Sequence, residues 1–172
     1  MRSARLDHIT LTAPSLEAGA DYVRRQLGVE PQPGGEHPHM GTHNRLLRLG
    51  EAMFLEVIAV NPAAPAPNRP RWFALDHLAA DATPRVAAWV AACEDIDAAV
   101  AAAAPLALGN IEAMTRGQAS WRITIPADGS LPLQGVAPSL IQWTVTAHPA
   151  SRLEDRGCTL VALEGVHPQA EA

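Results

Sequence analysis

The feature that most constrains the fold of this chain is an approximate internal repeat. Three segments of the first half have counterparts about 80 to 86 residues later, in the same order. The aligned pairs are residues 16–20 with 96–100, 27–28 with 108–109, and 54–57 with 140–143. Each copy of such a repeat is a supersecondary unit that buries its apolar face against the other copy. The repeat therefore predicts two similar halves that share one core.

Local patterns in the first half predict a strand, a helix and then further strands. Residues 5–12 alternate between apolar and polar, with one irregularity, as expected of a strand. Ser15 is a suitable N-cap for a helix over 16–27, and Gly28 is a suitable stop. Residues 31–41, rich in Pro, Gly and His, are expected to form a loop with at most a short edge strand. Segments 42–49 and 52–60 read as a hairpin around a Gly50-Glu51 turn.

The second half repeats this plan after a proline-rich stretch. Residues 61–71 contain four prolines, so 63–84 is expected to be a linker. Five elements follow, namely a strand at 85–93, a helix at 96–104 capped by Asp95, and strands at 111–115, 120–125 and 140–145. A last strand is expected over 159–166. The predicted fold class is α+β, with two βαβββ modules at 5–62 and 85–149 and a C-terminal strand and tail at 150–172.

Composition excludes several classes of function. Hydrophobic residues make up 48% of the 172 residues, enough for a packed core. The net charge is −5 and no basic block occurs, so no nucleic acid partner is expected. No apolar run reaches the roughly 18 residues of a membrane helix, so no membrane partner is expected either. With only two cysteines and no export signal, we expect a cytoplasmic protein with free thiols.

Several motifs together resemble a glyoxalase-like domain of the vicinal oxygen chelate superfamily, which includes glyoxalases, bleomycin resistance proteins and extradiol dioxygenases. The motifs are residues 6–9 (LDHI), 27–29 (LGV), 34–44 (GGEHPHMGTHN) and 54–58 (FLEVI). The resemblance covers most of the chain and is strongest over residues 6–62. It implies two βαβββ modules that curl into a pair of half-open barrels around one small-molecule cavity. It also implies a possible homodimer.

The resemblance further implies a divalent metal ion, held by residues of the first and last strands of the modules. His8 matches the first-strand ligand and Glu56 the last-strand ligand, and Glu56 is also the catalytic carboxylate. In the repeat, Ala88 aligns with His8 and cannot bind metal, while Gln142 aligns with Glu56 and is a weak neutral ligand. Imidazole and carboxylate donors suit Zn, Fe, Mn, Ni or Co, and their set does not single out one of these.

His43 is the best candidate for a third ligand, and it is also a candidate substrate contact. A two-residue turn at Gly50-Glu51 pairs Arg45 with Glu56 and His43 with Ile58, which puts His43 and Glu56 on one face of the hairpin. A three-residue loop would place Asn44 on that face instead. Without a metal, a salt bridge to Arg45 would explain the buried position of Glu56.

Other polar and aromatic residues are weaker candidates. Trp121 and Trp143 are expected to line the cavity, and Arg122 to bind an anionic group of the substrate, although a surface position explains Arg122 equally well. His37 and His39 flank a proline among glycines, which favours a mobile lid or turn over a metal cluster.

Two classes of function follow from these expectations. The first is a metal-dependent enzyme that acts on a small molecule with vicinal oxygens, as a lyase, an isomerase or a dioxygenase. Glu56 is its only site carboxylate, which puts glyoxalase activity in doubt. The alternative is a protein of the same fold that binds or sequesters an apolar or aromatic compound without chemistry.

Overall fold

The computed structural model of the chain describes residues 4–117, 119–144 and 147–168. Two helices and eight strands follow the predicted order. They are β1 (Arg5–Thr12), α1 (Leu16–Leu27), β2 (Gln32–His37), β3 (Thr42–Gly50), β4 (Met53–Val60), β5 (Arg85–Ala92), α2 (Ile96–Ala102), β6 (Asn110–Arg116), β7 (Ala119–Ile125) and β8 (Ser139–Trp143). Neither helix is long and apolar enough to cross a membrane, within the described part of the chain.

The strands form one mixed sheet whose order shows the internal repeat. The order is β2-β3-β4-β1-β5-β8-β7-β6, so the second half repeats the first about the β1–β5 junction. Strand β1 runs parallel to β4, and β5 runs parallel to β8, while β1 and β5 are antiparallel. The sheet curls until its two edge strands, β2 and β6, contact each other. The predicted α+β fold with two βαβββ modules is confirmed.

The helices begin and end for local reasons. Ser15 Oγ accepts a hydrogen bond from the backbone N–H of Ala18, and Gly28 ends α1 in the left-handed conformation at φ 72°. Asp95 caps α2 in the same way, through the N–H of Ala98. Helix α2 is two residues shorter than predicted, and a 3-10 turn follows it.

Apolar side chains pack on both faces of the sheet. On the convex face, α1 covers β1, β3 and β4, while α2 covers the second module. On the concave face, side chains of both modules share one core, which includes Ile58, Val90 and Ile141. The concave face is therefore where residues distant in sequence meet.

The pairing predicted for the β3–β4 hairpin is wrong by one residue. Leu46, rather than Arg45, pairs with Glu56, and Asn44, rather than His43, pairs with Ile58. The cause is a register shift between Arg48 and Gly50, so that Glu51 and Ala52 form the turn. A shift of one residue exchanges the two faces of a strand. Asn44 therefore shares a face with Glu56, as the three-residue alternative requires.

Two segments outside the strands also differ from the expectation. The strand expected over 159–166 does not form, and most of these residues are exposed. Residues of the expected linker contribute to the core, because the 3-10 segment Trp72–His77 buries Trp72, Phe73 and Leu75 on the concave face.

Candidate active site

A cavity opens on the concave face of the first module. Its free volume is about 420 Å³ when the space at its mouth is counted. Most of its wall is aromatic or aliphatic, and its polar side chains come from all four strands of the first module and one of the second. The lining residues are His8, His37, Asn44, Leu46, Phe54, Glu56, Trp72, Phe73, Arg116, Trp121, Ile123, Ile141, Trp143 and Pro149.

His8 and Glu56 meet at this cavity. His8 Nε2 lies 3.6 Å from Glu56 Oε2, and the two side chains are almost fully buried. The His8 ring stacks on Phe54, with centroids 4.5 Å apart. Because strands β1 and β4 are adjacent and parallel, the two side chains project from neighbouring strands of the same sheet. At 3.6 Å the two atoms form an ion pair when His8 is protonated, without a direct hydrogen bond, and the separation also suits two donors that share an ion.

Asp7 holds His8 from behind. Its Oδ1 lies 2.6 Å from His8 Nδ1, and its Oδ2 accepts hydrogen bonds from Trp143 Nε1 at 2.9 Å and His148 Nε2 at 3.0 Å. The pairing of β1 with β5 is irregular between Leu6 and His8, that is, at Asp7. The alternation of apolar and polar residues in the sequence is irregular at the same position. Thus one fully buried carboxylate orients the imidazole and directs Nε2 to the cavity.

These contacts set the charge of the pair. Burial by itself raises the pKa of Asp7, but the hydrogen bonds from His148 and His8 outweigh it and hold that pKa well below its usual range. Burial lowers the pKa of His8, but the hydrogen bond and charge of Asp7 and the charge of Glu56 outweigh burial and raise it. Asp7 and Glu56 therefore stabilise the imidazolium form of His8 relative to a histidine in water.

Asn44 orients Glu56 from the other side. Its Nδ2 donates to Glu56 Oε1 at 2.6 Å, while its Oδ1 accepts from the backbone N–H of Gly35 at 2.8 Å. A Cβ atom on Gly34 would lie 2.1 Å from Asn44 Oδ1, so any larger residue there would displace the amide. The Gly34-Gly35 pair of β2 thus makes room for Asn44, which fixes one oxygen of Glu56 and leaves Oε2 facing His8.

His37 lies in this wall and not in a mobile lid as expected. It ends β2, is 5% exposed, and its Nδ1 lies 3.1 Å from Thr42 Oγ1. Arg116 Nη1 lies 3.1 Å from His37 Nε2, which must accept because a guanidinium has no acceptor. Burial lowers the pKa of His37 to about 4, and the positive charge of Arg116 contributes, against the opposing charge of Glu56. His37 is therefore neutral at neutral pH, whereas the exposed His39 lies outside the cavity.

The other residues proposed for the site divide into two groups. Trp121 and Trp143 line the cavity, with ring centroids 5.4 Å apart. Arg122 does not, because it pairs with Asp97 of α2 at 2.7 Å on the convex face. Gln142 lies on that face too, where it bonds to the backbone of Ile96 and Glu94. His43 falls on the face of β3 opposite to Asn44.

The second module has its own, smaller cavity at the equivalent place. Thr10 pairs with Glu56 in the first module, and Val90, which aligns with Thr10 in the repeat, pairs with Ser139 in the second. The strand pairing therefore makes Ser139 the counterpart of Glu56. The repeat alignment, which chose Gln142, was therefore wrong at this position. Ala88 and Ser139 line the second cavity, which is otherwise mostly apolar.

The donor atoms around His8 Nε2 and Glu56 Oε2 test the expected metal ion. A separation of 3.6 Å is compatible with two bonds of about 2 Å to one ion. A resident divalent ion takes at least three protein donors, however. Within the described residues, no group of three or more His, Cys, Asp or Glu side chains is placed to hold a metal. The counterparts of the pair are Ala88 and Ser139, so the residues present do not fit a tightly held ion.

Asp7, Asn44 and Arg116 were not predicted for the site. The irregular alternation at Asp7 was a signal for a bulge. For Asn44 the signal was the three-residue loop, which the sequence left open as an alternative to the two-residue turn. For Arg116 the sequence has no local signal, because its neighbours in the cavity come from β2 and β3.

Two curled modules with one continuous sheet, and a cavity that presents a histidine and a carboxylate, define a protein of the vicinal oxygen chelate fold. The chain belongs to the glyoxalase-like domain family, which matches residues 6–172. A comparison with curated proteins finds no match.

Solved structures share this fold. A methylmalonyl-CoA epimerase in complex with methylmalonyl-CoA and ammonium superposes with a TM-score of 0.56 and 21% identity, over 85% of this chain and 99% of that chain. A variant of the Streptomyces coelicolor methylmalonyl-CoA epimerase with 2-nitronate-propionyl-CoA gives 0.56 and 21%, over 84% and 98%. A hypothetical protein from Staphylococcus aureus gives 0.55 and 17%, over 83% and 59%. At these identities the likeness shows the fold alone.

Proposed function

We propose that this chain is an enzyme of the isomerase type that moves a proton at a carbon atom next to a carbonyl group of a small molecule. The observation that carries this proposal is the 3.6 Å approach of His8 Nε2 and Glu56 Oε2 in an otherwise largely apolar cavity. Each group is oriented by its own partner, Asp7 or Asn44. Two oriented groups of opposite acid–base character are what general acid–base catalysis needs.

The reaction balances with these two side chains alone. Glu56 Oε2 takes the proton from the carbon, and the electron pair of the C–H bond moves towards the carbonyl oxygen. His8 Nε2–H donates to that oxygen and transfers its proton, which gives the enol. In the reverse step Glu56 gives a proton back to the carbon and neutral His8 Nε2 takes the enol O–H proton, which regenerates the ketone with both side chains in their starting states. A proton that Glu56 exchanges with solvent between the two steps then appears at the carbon.

Two features support this reaction over the metal-dependent ones. The donor set lacks the third ligand that a lyase or dioxygenase of the metal-dependent type requires. The raised pKa of His8 keeps a proton available at Nε2.

Solvent exchange tests the proposal. The protein is incubated in deuterium oxide with phenylpyruvate or phenylacetone, and loss of the C–H signal beside the ketone is followed by NMR. We expect exchange above the buffer rate, unchanged by a chelator, in protein whose metal content is well below one ion per chain. Exchange that a chelator abolishes and a divalent metal restores would assign the reaction to the metal-dependent class.

A sequestering function is the second candidate, and the aromatic wall favours it. Trp72, Trp121 and Trp143 all line the cavity and offer faces on which an aromatic ligand can stack. Quenching of tryptophan fluorescence by phenylpyruvate without any exchange at its carbon would select this function.

The possible homodimer stays a prediction. Light scattering at high protein concentration tests it, and a strict monomer would contradict it.

A further inference from the structure

Arg116 differs in its partners from the six arginines that form ion pairs in the described part of the chain. The arginines at positions 24, 45, 69, 71, 122 and 156 pair with carboxylates. Arg116 forms no such pair within the described residues. Its Nη1 contacts two neutral acceptors, His37 Nε2 at 3.1 Å and Asn44 Oδ1 at 3.4 Å. Neither acceptor carries a negative charge, so among the described residues the positive charge of Arg116 has no direct counter-charge.

The guanidinium also retains free donors. Among the described residues, Arg116 Nε and Nη2 have no hydrogen-bond partner. The side-chain atoms that are both unpaired and buried belong to other residues, so these two donors are not buried. They therefore reach accessible space. Nε and Nη2 form the edge of a guanidinium that binds a carboxylate through two parallel hydrogen bonds.

The surroundings keep Arg116 away from Glu56. The Asn44 side chain lies between them, with Oδ1 towards Arg116 and Nδ2 on Glu56 Oε1. On the other side, the Arg116 side chain passes close to Gly35, where an added Cβ would lie 2.8 Å from Arg116 Cδ. The guanidinium carbon lies 5.9 Å from the centre of the Trp121 ring. This packing holds the cation at the wall without neutralising the Glu56 carboxylate.

Arg116 also marks where the cavity opens. It lines the inner cavity with Glu56, and it lines an adjoining outer groove together with Leu46 and Pro149. A ligand with an anionic end and an apolar body would thus place its anionic end at the mouth and its body against the aromatic wall.

We propose that Arg116 binds a carboxylate of the substrate through Nε and Nη2, so that the substrates of this protein are small carbonyl compounds that carry a carboxylate. This inference rests on the proposed function, since it names the substrate class of the same site. A 2-oxo acid such as phenylpyruvate has the required parts: a carboxylate for Arg116, a ketone oxygen for His8 and an adjacent C–H for Glu56.

Binding measured apart from turnover tests the inference. Calorimetric titration with phenylpyruvate is compared with phenylacetone, which has a methyl group in place of the carboxylate. Arg116→Met should weaken binding of the acid by about 10- to 100-fold, the loss expected for hydrogen bonds between charged groups, and leave binding of the ketone nearly unchanged. Arg116→Lys keeps the charge but loses the two parallel N–H donors. Its affinity for the acid should lie between those of the wild type and Arg116→Met. Arg122→Met, on the next strand but on the convex face, is the matched control and should bind both compounds as the wild type does.

The outcomes separate this inference from the proposed function. Equal binding of the acid by the wild type and by a folded Arg116→Met protein would overturn the carboxylate assignment, as would equal losses for acid and ketone. Glu56→Gln should lower the exchange rate by about 10²- to 10⁴-fold yet keep the preference for the acid. If no exchange occurs but the preference for the acid depends on Arg116, the binding assignment stands and the proposed reaction fails.

Discussion

The two modules share a fold but differ in the chemistry of their concave faces. In the first module, His8 and Glu56 stand on neighbouring strands, with Asp7 and Asn44 as partners. In the second, Ala88 and Ser139 line the corresponding cavity. The sheet is the same scaffold in both, so the difference lies in a few side chains. A repeat conserves the shape of a module without conserving its chemistry.

The comparison also shows how the two modules contribute to the single candidate site. A buried carboxylate is stable only when hydrogen bonds compensate the loss of water. Asp7 receives such bonds from His8 of its own module and from Trp143 and His148 of the second, and Glu56 receives one from Asn44. The second module contributes Trp121, Trp143 and Arg116 to the cavity of the first. The second module is thus a wall of the site.

The largest expected effect concerns the counterpart positions Glu56 and Ser139. Glu56→Gln keeps the shape and removes the base, so exchange of phenylpyruvate should fall about 10²- to 10⁴-fold, the range of general acid–base contributions. Ser139→Ala should leave the exchange rate within error. A comparable loss in both variants, measured by NMR in deuterium oxide, would contradict the assignment of chemistry to the first module.

The second prediction removes Trp72, the largest of the three side chains that line both cavities. Trp72 is 5% exposed and its Nε1 donates to Thr42 Oγ1 at 3.3 Å. Trp72→Ala should lower the free energy of unfolding by about 3 to 5 kcal/mol, because a large buried side chain is lost and a cavity remains. Urea denaturation measures this. His77→Ala, at an exposed position of the same segment, should change stability by less than about 0.5 kcal/mol.

The third prediction concerns pH and applies to the first module alone, whose cavity contains His37. The pKa of His37 is about 4 in the folded state, below that of an unfolded histidine. Between these values the unfolded chain binds the proton and the folded chain does not, so acid favours unfolding. Stability should fall by about 3 kcal/mol as the pH drops from 6.5 to below 4, relative to a His37→Gln variant.

Denaturation in urea across that pH range measures the difference. His39→Gln, two residues away and exposed, should follow the wild-type curve. Parallel curves for the wild type and His37→Gln would show that His37 titrates normally in the fold.

The smallest effect tests whether the two helices depend equally on their caps. Ser15→Ala and Asp95→Ala each remove an acceptor for a helix N–H, and each should cost about 1 kcal/mol in thermal or urea unfolding. Asp95→Asn keeps an acceptor and should cost much less. A much larger loss at Ser15 would show that the modules differ in their helices as well as in their sites.

Elements with strong local signals were predictable from the sequence. The bounds of β1 and α1 agree with the prediction to the residue, because alternation, a serine cap and a stop glycine all lie within the segment. His8 and Glu56 at the cavity, and the two tryptophans Trp121 and Trp143, were also named from the sequence. The sequence placed His43 on the face of Glu56, whereas the structure has Asn44 there, because a shift of one residue at the turn exchanged the two faces of β3.

The sequence by itself determined the two-module plan, the helices with their caps, and the strands that carry His8 and Glu56. These depend on neighbours within a few residues, and such interactions are readable from spacing. Only the tertiary structure decided that Asn44 orients Glu56 and that Arg116 meets His37, 79 residues earlier in the chain. Those contacts depend on strand register and on the curl that brings β2 to β6. Register and curl follow from packing over the whole sheet, which no short segment encodes.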